Sequence, residues 1–547
     1  MSTVPTVPSA THEVFNQSPP FGDFNLYDRD TVLKEALHRE GAGAHHARLH
    51  AYGETMGSAE ALAWAQEANT QLPVLANFDR YGQRIDQVRY TPAYHQLMAS
   101  TVKVGCHGAP WADTRPGAHT ARAGLFYLDA QNELGHNCPI SMTYAVVPAL
   151  RHTPALSASW EPKLVSGVYD PRPVPASEKA GVIMGMAMTE KQGGSDVRAN
   201  TSTARPLGDG SYSLHGHKWF CSAPMSDAFL MLANTERGLS CFLVPRYRDD
   251  GSINGISVMR LKDKLGNRSN ASSEIEFSGA IGQLVGPEGR GVPTIIEMTN
   301  HTRLDCVIGG AAIMRACLHH AAHHTIHRRA FGKRLIEQPI MRAVLADLSL
   351  ESEASTTLMM RLARSYDQTD PEAMAFRRIA TPIAKYLVCK RAVFFAFEAL
   401  ECQGGPGYVE DFVLARHYRE APCYSIWEGS GNVICLDVLR ALRKQPATAG
   451  ALCAEIGRAS GRDSVFDAAF SRWQATLESA LDDEMSARRV VEQAAILLQA
   501  SLLLRVAPSP VAEAFVAARI QERSQTFGAL PAGIATEPLL ERIGVPL

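Results

Sequence analysis

No two cysteines in this 547-residue chain are spaced Cys-x-x-Cys, although it carries 11 of them. That spacing marks structural zinc sites and thioredoxin-like redox pairs, so neither is expected. The scattered thiols read as reduced cysteines of a cytoplasmic protein. No stretch approaches the ~18 uninterrupted apolar residues of a membrane-spanning helix. Met1 to Pro20 lacks a basic start followed by an apolar run, which argues against a secretory leader. Net charge is almost missing too. The 54 Lys and Arg stand against 56 Asp and Glu, leaving −2, so whole-molecule charge drives attraction to neither nucleic acid nor membrane. Residues 451–547 hold no lysine, and their nine arginines face twelve acidic residues, the wrong sign for a DNA-binding module.

What is present is a change of period along the chain. Its length predicts several domains. Residues 1–40 read as an extended arm, polar around Pro19-Pro20 yet carrying Phe15, Phe21, Phe24 and Leu26 as anchors for another surface. Helical patterns fill 41–184, and Asn137–Leu150, apolar nearly all round, predicts a helix buried on most faces. Residues 185–285 switch to short apolar runs (Tyr212–Phe220, Ala228–Asn234, Leu239–Pro245, Ile256–Leu261, Ser273–Ser278) between turn signals such as Gly208-Asp209-Gly210. That spacing predicts a small barrel or sandwich. From 286 to 446 three long amphipathic segments predict a helical bundle, the first interrupted by Arg315 and the third restarting or kinking at Pro382. An additional helical part covers 447–547, where Pro508 and Pro510 stop its most apolar segment, Ala494–Val506. The expected fold class is α+β, mostly helical.

Recognisable motifs stand in order along this plan. They are MTEKQGGSD (Met188–Asp196), GHKWFCS (Gly216–Ser222), KDKLGNRSNASSEIEF (Lys262–Phe277), RRAFGKRL (Arg328–Leu335), GGPGY (Gly404–Tyr408) and IWEGSGN (Ile426–Asn432). Each is weak alone, but together, in order from Met188 to Asn432, they resemble the acyl-CoA dehydrogenase family. The resemblance implies a helical N-terminal domain, a β-domain, a C-terminal helical bundle and bound FAD. A flavin needs hydrogen bonds to its ring edge without a nearby competing charge. Thr189 and Ser222 offer neutral hydroxyls for this, and Met188 a backbone donor. Gly193 and Gly194 remove side chains where backbone approaches a ligand. By resemblance Ser195 lies near the FAD phosphate or the substrate's pantetheine arm, and Phe220 takes the place of a flavin-stacking Trp. Arg328 and Phe331 resemble residues that reach the FAD of a neighbouring subunit, with Gly404 and Gly405 in the same cofactor set. The family's Gln three residues before these glycines is Glu401 here, and Gln403 adjoins Gly404.

The resemblance makes Glu428 the base that removes the substrate's α-proton, since a desolvated carboxylate is a stronger base. Trp427 would supply an apolar wall, and Gly429, Ser430, Gly431 and Asn432 would fold over the flavin. In one branch of the family the base comes from a helix near the position of Thr302, a residue that cannot serve. Plainer readings stay open: a capping Glu before a helix near Asn432, an ordinary turn at Gly193-Gly194-Ser195, a solvated helix end at Arg328. The run His319-His320, His323-His324, His327 has metal-like spacing, but no carboxylate or Cys completes it. No metal is expected, and the run reads as a subunit interface or pH-sensitive surface.

Further stretches resemble the branch of flavoproteins of the bacterial adaptive response to DNA alkylation: THEVFNQ near Thr11, EGAG at Glu40–Gly43, CPISMT, LKDKLGNRSNAS and SIWEGSGN. This implies a homotetramer, double-stranded DNA binding and weak dehydrogenation of isovaleryl-CoA-like thioesters, with an electron-transferring flavoprotein as reoxidant. Basic residues that could gather into a DNA groove are Arg315, Arg328, Arg329, Lys333 and Arg334, then Arg440, Arg443 and Lys444. Three functions follow: a dehydrogenase, a DNA-binding protective flavoprotein with a largely vestigial site, and a detoxifier of alkylating agents.

Overall fold

The computed structural model describes residues 11–546; residues 1–10 of the expected arm, and Leu547, lie outside the described residues. The N-terminal part holds α1 (Thr31–Arg39), α2 (His46–Met56), α3 (Ala59–Thr70), a hairpin of β1 (Val74–Phe78) and β2 (Arg84–Arg89), then α4 (Pro92–Lys103), α5 (Ala118–Ala130), α6 (Asn137–Leu150) and α7 (Pro154–Leu164). The hairpin departs from the helical reading of this region. Its turn is set by Asp79, whose Oδ1 accepts from the amides of Tyr81 (2.8 Å) and Gln83 (2.9 Å), with Gly82 at φ +85°. Helix α6 is buried along nearly its whole length, as its composition predicts. Ile140 packs toward the helical core, while Met142, Val146 and Leu150 pack toward the β-domain.

The middle part contains β3 (Met184–Ala187), β4 (Thr203–Pro206), β5 (Ser211–Ser222), β6 (Ala228–Thr235), β7 (Gly238–Pro245), β8 (Ile256–Leu261) and β9 (Ser272–Val285). Pairings β6–β4, β4–β5, β5–β9, β9–β7 and β7–β6 close a ring, so the expected barrel-or-sandwich is a small barrel, with β3 and β8 flanking it. Strand β6 is apolar on both faces for a physical reason. Phe229, Met231 and Ala233 fill the barrel, while Ala228, Leu230 and Leu232 pack outward with α6 and α7.

The bundle comprises α8 (Gly291–His327), a short hairpin β10 (Arg329–Ala330) and β11 (Lys333–Arg334), α9 (Pro339–Tyr366), α10 (Pro371–Gln403), α11 (Val413–Ile426) and α12 (Gly431–Lys444). Helix α10 runs through Pro382 as one helix rather than restarting there. Helices α8 and α11 touch closely at Gly309, where a Cβ would meet the Tyr424 ring at 2.2 Å. Helices α13 (Pro446–Gly457), α14 (Ser464–Leu481), α15 (Ala487–Val506), α16 (Ser509–Val516) and α17 (Glu537–Leu540) share one hydrophobic core with the bundle. Among the described residues no helix is long and apolar enough to cross a membrane.

The histidine run of α8 seats both ends of the chain. His319 Nε2 meets the Ile543 carbonyl (3.1 Å), His323 Nε2 meets that of Pro19 (2.9 Å), and His324 bonds Ser18 (3.0 Å). Phe21 stacks on His323 at 4.5 Å and on Phe24 at 4.4 Å, so these two anchors have found a surface within the same chain, whereas Phe15 stays 79% exposed. Among the described residues no group of His, Cys, Asp or Glu is arranged to hold a metal. Arg315 corrects the sequence reading. It is buried, pairs with Asp30 at 3.1 Å and donates to the Arg29 carbonyl, so it offers nothing to a phosphate backbone.

Candidate active site

Between the end of α11 and the start of α12 the chain makes a turn in which Glu428 takes φ +57°, a left-handed conformation that a non-glycine residue holds only when its surroundings enforce it. Three consecutive carbonyls of the turn are held by buried cations. Lys385 Nζ donates to the carbonyls of Trp427 (2.7 Å) and Gly429 (2.6 Å), and Arg303 Nε donates to that of Glu428 (3.0 Å). Arg303 is itself fixed by Asp437 (2.8 Å), which also receives Arg378 (2.9 Å). The Thr302 hydroxyl donates to Glu428 Oε2 at 2.8 Å. Thr302, set aside above as a base, thus touches the residue that replaces it.

Burial pushes the Glu428 carboxyl above its ordinary range; the Thr302 hydroxyl and the Arg303 and Lys385 cations pull back only part of that rise. Sequence reasoning missed Lys385 and Arg303. The signal for Lys385 was a lysine set within the apolar run from Ile379 to Val388, a position where a charge needs a reason to be.

The Glu428 carboxylate faces a cavity of about 720 Å³ between the barrel, α6, α8 and the turn. Six barrel-side residues expected from the sequence line it: Met188, Thr189, Gly194, Ser195, Phe220 and Ser222. On the opposite side stand Trp427, Gly429 and Ser430. Gly194 is required by close approach, because a Cβ there would lie 2.5 Å from Thr189 Oγ1.

The loop carrying these residues is anchored by Glu190, fully buried with Lys218. Glu190 accepts from Lys218 Nζ (2.8 Å), the Ser202 hydroxyl (2.6 Å) and the Thr201 amide (2.7 Å). Burial alone would raise this carboxyl, but those donors outweigh it and hold it well below the usual range.

The other expected residues are not brought to this cavity. Arg328 donates to the Asn16 carbonyl at 2.6 Å, and Phe331 sits on a hairpin tip with 96% of its surface exposed. Gly404 and Gly405 are exposed beyond α10; Gly431 packs against Lys390; Asn432 Oδ1 accepts from Arg488 (2.8 Å). The expectation of an uncharged ring edge at Ser222 also changes. Ser222 bonds Ser272 (3.3 Å), which receives the Lys264 ammonium (3.0 Å), and Lys264 itself lines the cavity. The C-terminal basic residues Arg440, Arg443 and Lys444 are all exposed, and Arg443 donates to the Leu481 carbonyl and lies 3.5 Å from Asp482.

Three family models match the chain. The Adaptive response protein AidB N-terminal domain covers residues 16–171, the acyl-CoA dehydrogenase middle domain 185–280 and the acyl-CoA dehydrogenase C-terminal domain 289–443. The chain is 46% identical over 516 residues to AidB of Escherichia coli (strain K12), covering 94% of this chain and 95% of that one. Among solved structures, Caenorhabditis elegans ACDH-11 in complex with C11-CoA superposes with a TM-score of 0.85 at 26% identity, over 96% of this chain and 95% of that one. The Bd2924 apo-form gives 0.82 at 29% identity, over 90% and 99%.

Proposed function

The chain belongs to the acyl-CoA dehydrogenase family, in its AidB branch, and from that premise we propose that it is an FAD-dependent oxidoreductase whose Glu428 removes the α-proton of a short branched, isovaleryl-CoA-like thioester. The observation that carries the reading is the Glu428 carboxylate, raised in basicity by burial and facing a 720 Å³ cavity whose other lining carboxylate, Asp305, is taken up by the buried Arg122. A cavity of this size suits a bound cofactor with a substrate arm. The Gly194 cradle, the hydroxyls of Thr189 and Ser222 and the ring of Phe220 fit an isoalloxazine and its neighbouring groups, and Met188 and Ser195 complete the set. Bound FAD supplies the acceptor for the β-hydride. Glu428 takes the α-proton, two electrons leave with the hydride, and an enoyl thioester results. Trp427 lines the cavity beside Glu428, where in this reading its ring would narrow the acyl end and favour short chains.

Reoxidation would fall to an electron-transferring flavoprotein. The assembly in this reading is a cytoplasmic homotetramer in which Arg328 and Phe331 reach a neighbouring FAD. Its support is the apolar surface a lone chain leaves open, with Phe331 96%, Tyr408 86% and Phe394 64% exposed.

The test is anaerobic mixing of the FAD-loaded protein with isovaleryl-CoA. The flavin band is expected to bleach. Because only the ionised carboxylate accepts a proton, and its pKa is raised, the bleaching rate should fall as pH drops through a midpoint above the ~4.3 of free glutamate. A rate independent of pH across that range would contradict the assignment.

Double-stranded DNA binding belongs to this reading through family likeness, not charge. Arg440 and Lys444 on α12 are its exposed candidates. Retention of duplex DNA at low salt, weakened by R440E with K444E, is the expected result. No retention at low salt would remove this part.

A further inference from the structure

Lys385 is an unusual lysine. Its side chain is buried, with 1% of the residue exposed, in the middle of α10. Among the described residues no carboxylate forms an ion pair with it; its ammonium bonds only to the carbonyls of Trp427 and Gly429, the two neighbours of Glu428. A buried charge without a counter-charge is strongly disfavoured, so a neutral side chain of similar shape would serve better if packing were its only task.

The ionisable groups around it leave Glu428 as the one unpaired source of negative charge close by, since Asp305 on the same cavity wall is paired with Arg122. Cys306, Cys389 and Cys423 have thiols pushed up by burial and are neutral, and Lys390 and Arg303 are cations. Asp437 is occupied by Arg303 and Arg378. Across the turn Glu428 faces Thr302 and Arg303 from α8, Lys385 from α10, Cys138 from α6, and Cys306 again from α8; beyond Cys138 stands Lys264.

We propose that Lys385 is the fixed counter-charge of Glu428 and a positioning residue for the proposed dehydrogenation, holding both shoulders of the turn so that the carboxylate faces the cavity. The proposal rests on the reading of Glu428 as base only for its consequence in catalysis; the coupling of the two charges is argued from the turn, where the carbonyls on both sides of Glu428 bond the Lys385 ammonium. When Glu428 is ionised the pair is neutral overall. When it takes the substrate proton the Lys385 charge is left uncompensated, which favours giving the proton up again at the end of the cycle.

The experiment titrates the Glu428 carboxyl in the FAD-loaded, substrate-free protein by infrared difference spectroscopy, with E428Q as the blank. It compares wild type with K385M, K385Q and K385R. Without the charge, the midpoint should rise by at least about one pH unit in K385M and K385Q. In K385R, where charge is kept and donor geometry altered, it should stay near wild type while the rate of flavin reduction falls and substrate affinity holds. K385Q keeps a donor for one carbonyl but carries no charge. A K385Q midpoint equal to wild type would reduce Lys385 to a structural brace and overturn the proposal. So would a K385R midpoint raised as far as in the neutral variants, and K385R can be read even if the neutral variants fail to fold. Should E428Q still be reduced by substrate at the wild-type rate, the base assignment falls, yet the infrared midpoints still decide whether the two residues are paired.

Discussion

Replacing Glu428 by glutamine is expected to slow anaerobic flavin reduction by isovaleryl-CoA roughly 10³–10⁴-fold, with FAD still bound. Glutamine is nearly isosteric, and its amide oxygen can still accept from the Thr302 hydroxyl, which now bonds Oε2 at 2.8 Å. The turn itself is held by bonds to its backbone carbonyls from Lys385 and Arg303, none of which involves the side chain being changed. What disappears is the lone pair that takes the proton. The loss therefore falls on the chemical step, and substrate affinity should stay within a few-fold. Single-turnover bleaching on rapid mixing separates the two. A glutamine variant reduced within tenfold of the wild-type rate would show that another group removes the proton. Lys385 then becomes an orphaned buried cation, so modest destabilisation alongside is expected.

Replacing Lys218 by methionine should lower stability by about 3 kcal/mol, the lower end of the roughly 3–5 kcal/mol typical when one partner of a buried ion pair is removed. The lower end applies because Ser202, Thr201 and Gln192 continue to donate to Glu190. Glu190 is 0% and Lys218 1% exposed, so solvent cannot compensate the stranded carboxylate. Lys218 also donates to the carbonyls of Leu232 (2.8 Å) and Met188 (3.4 Å), tying the loop that lines the cavity to the barrel wall. The variant should therefore bind FAD at least about tenfold more weakly, beyond any loss of overall stability. The sign of the pH dependence follows from the depressed Glu190 carboxyl. Its contribution is present in full above the unfolded value of about 4.3 and is lost as pH falls from there through the depressed folded value. Denaturation midpoints of both proteins at pH 7 and pH 4 measure this. A difference below about 0.5 kcal/mol at pH 7 would contradict the role given to the pair.

Elements whose burial pattern is local were legible in the sequence. Helix α6 is apolar nearly all round because it lies between two cores, and β6 is apolar without alternation because both of its faces are covered. The short strands β3 and β4 were not, since four residues each carry little pattern of their own, β3 pairing with distant β6 and β4 mainly with its neighbour β5. The β1–β2 hairpin escaped because its support is remote. Asp86 accepts from the Val258 amide, and its carbonyl accepts from Arg246. Of the site, the lining motifs and Glu428 were readable as motifs. Lys385 and Arg303 were not, because they reach the turn from helices 44 and 125 residues away in sequence. Arg315, readable only as a charge, proved to be an internal tie to Asp30.

The most direct measurement is an equilibrium titration of the purified protein with FAD, followed through the visible flavin band, for wild type and for Gly194→Arg. Saturation at one FAD per chain is expected for wild type. Loss of binding is expected for the variant, whose side chain would enter the cavity where a Cβ alone already lies 2.5 Å from Thr189 Oγ1. A wild-type protein that takes up no flavin, or a variant that binds it as tightly as wild type, would contradict the placement of the cofactor between the barrel and Glu428.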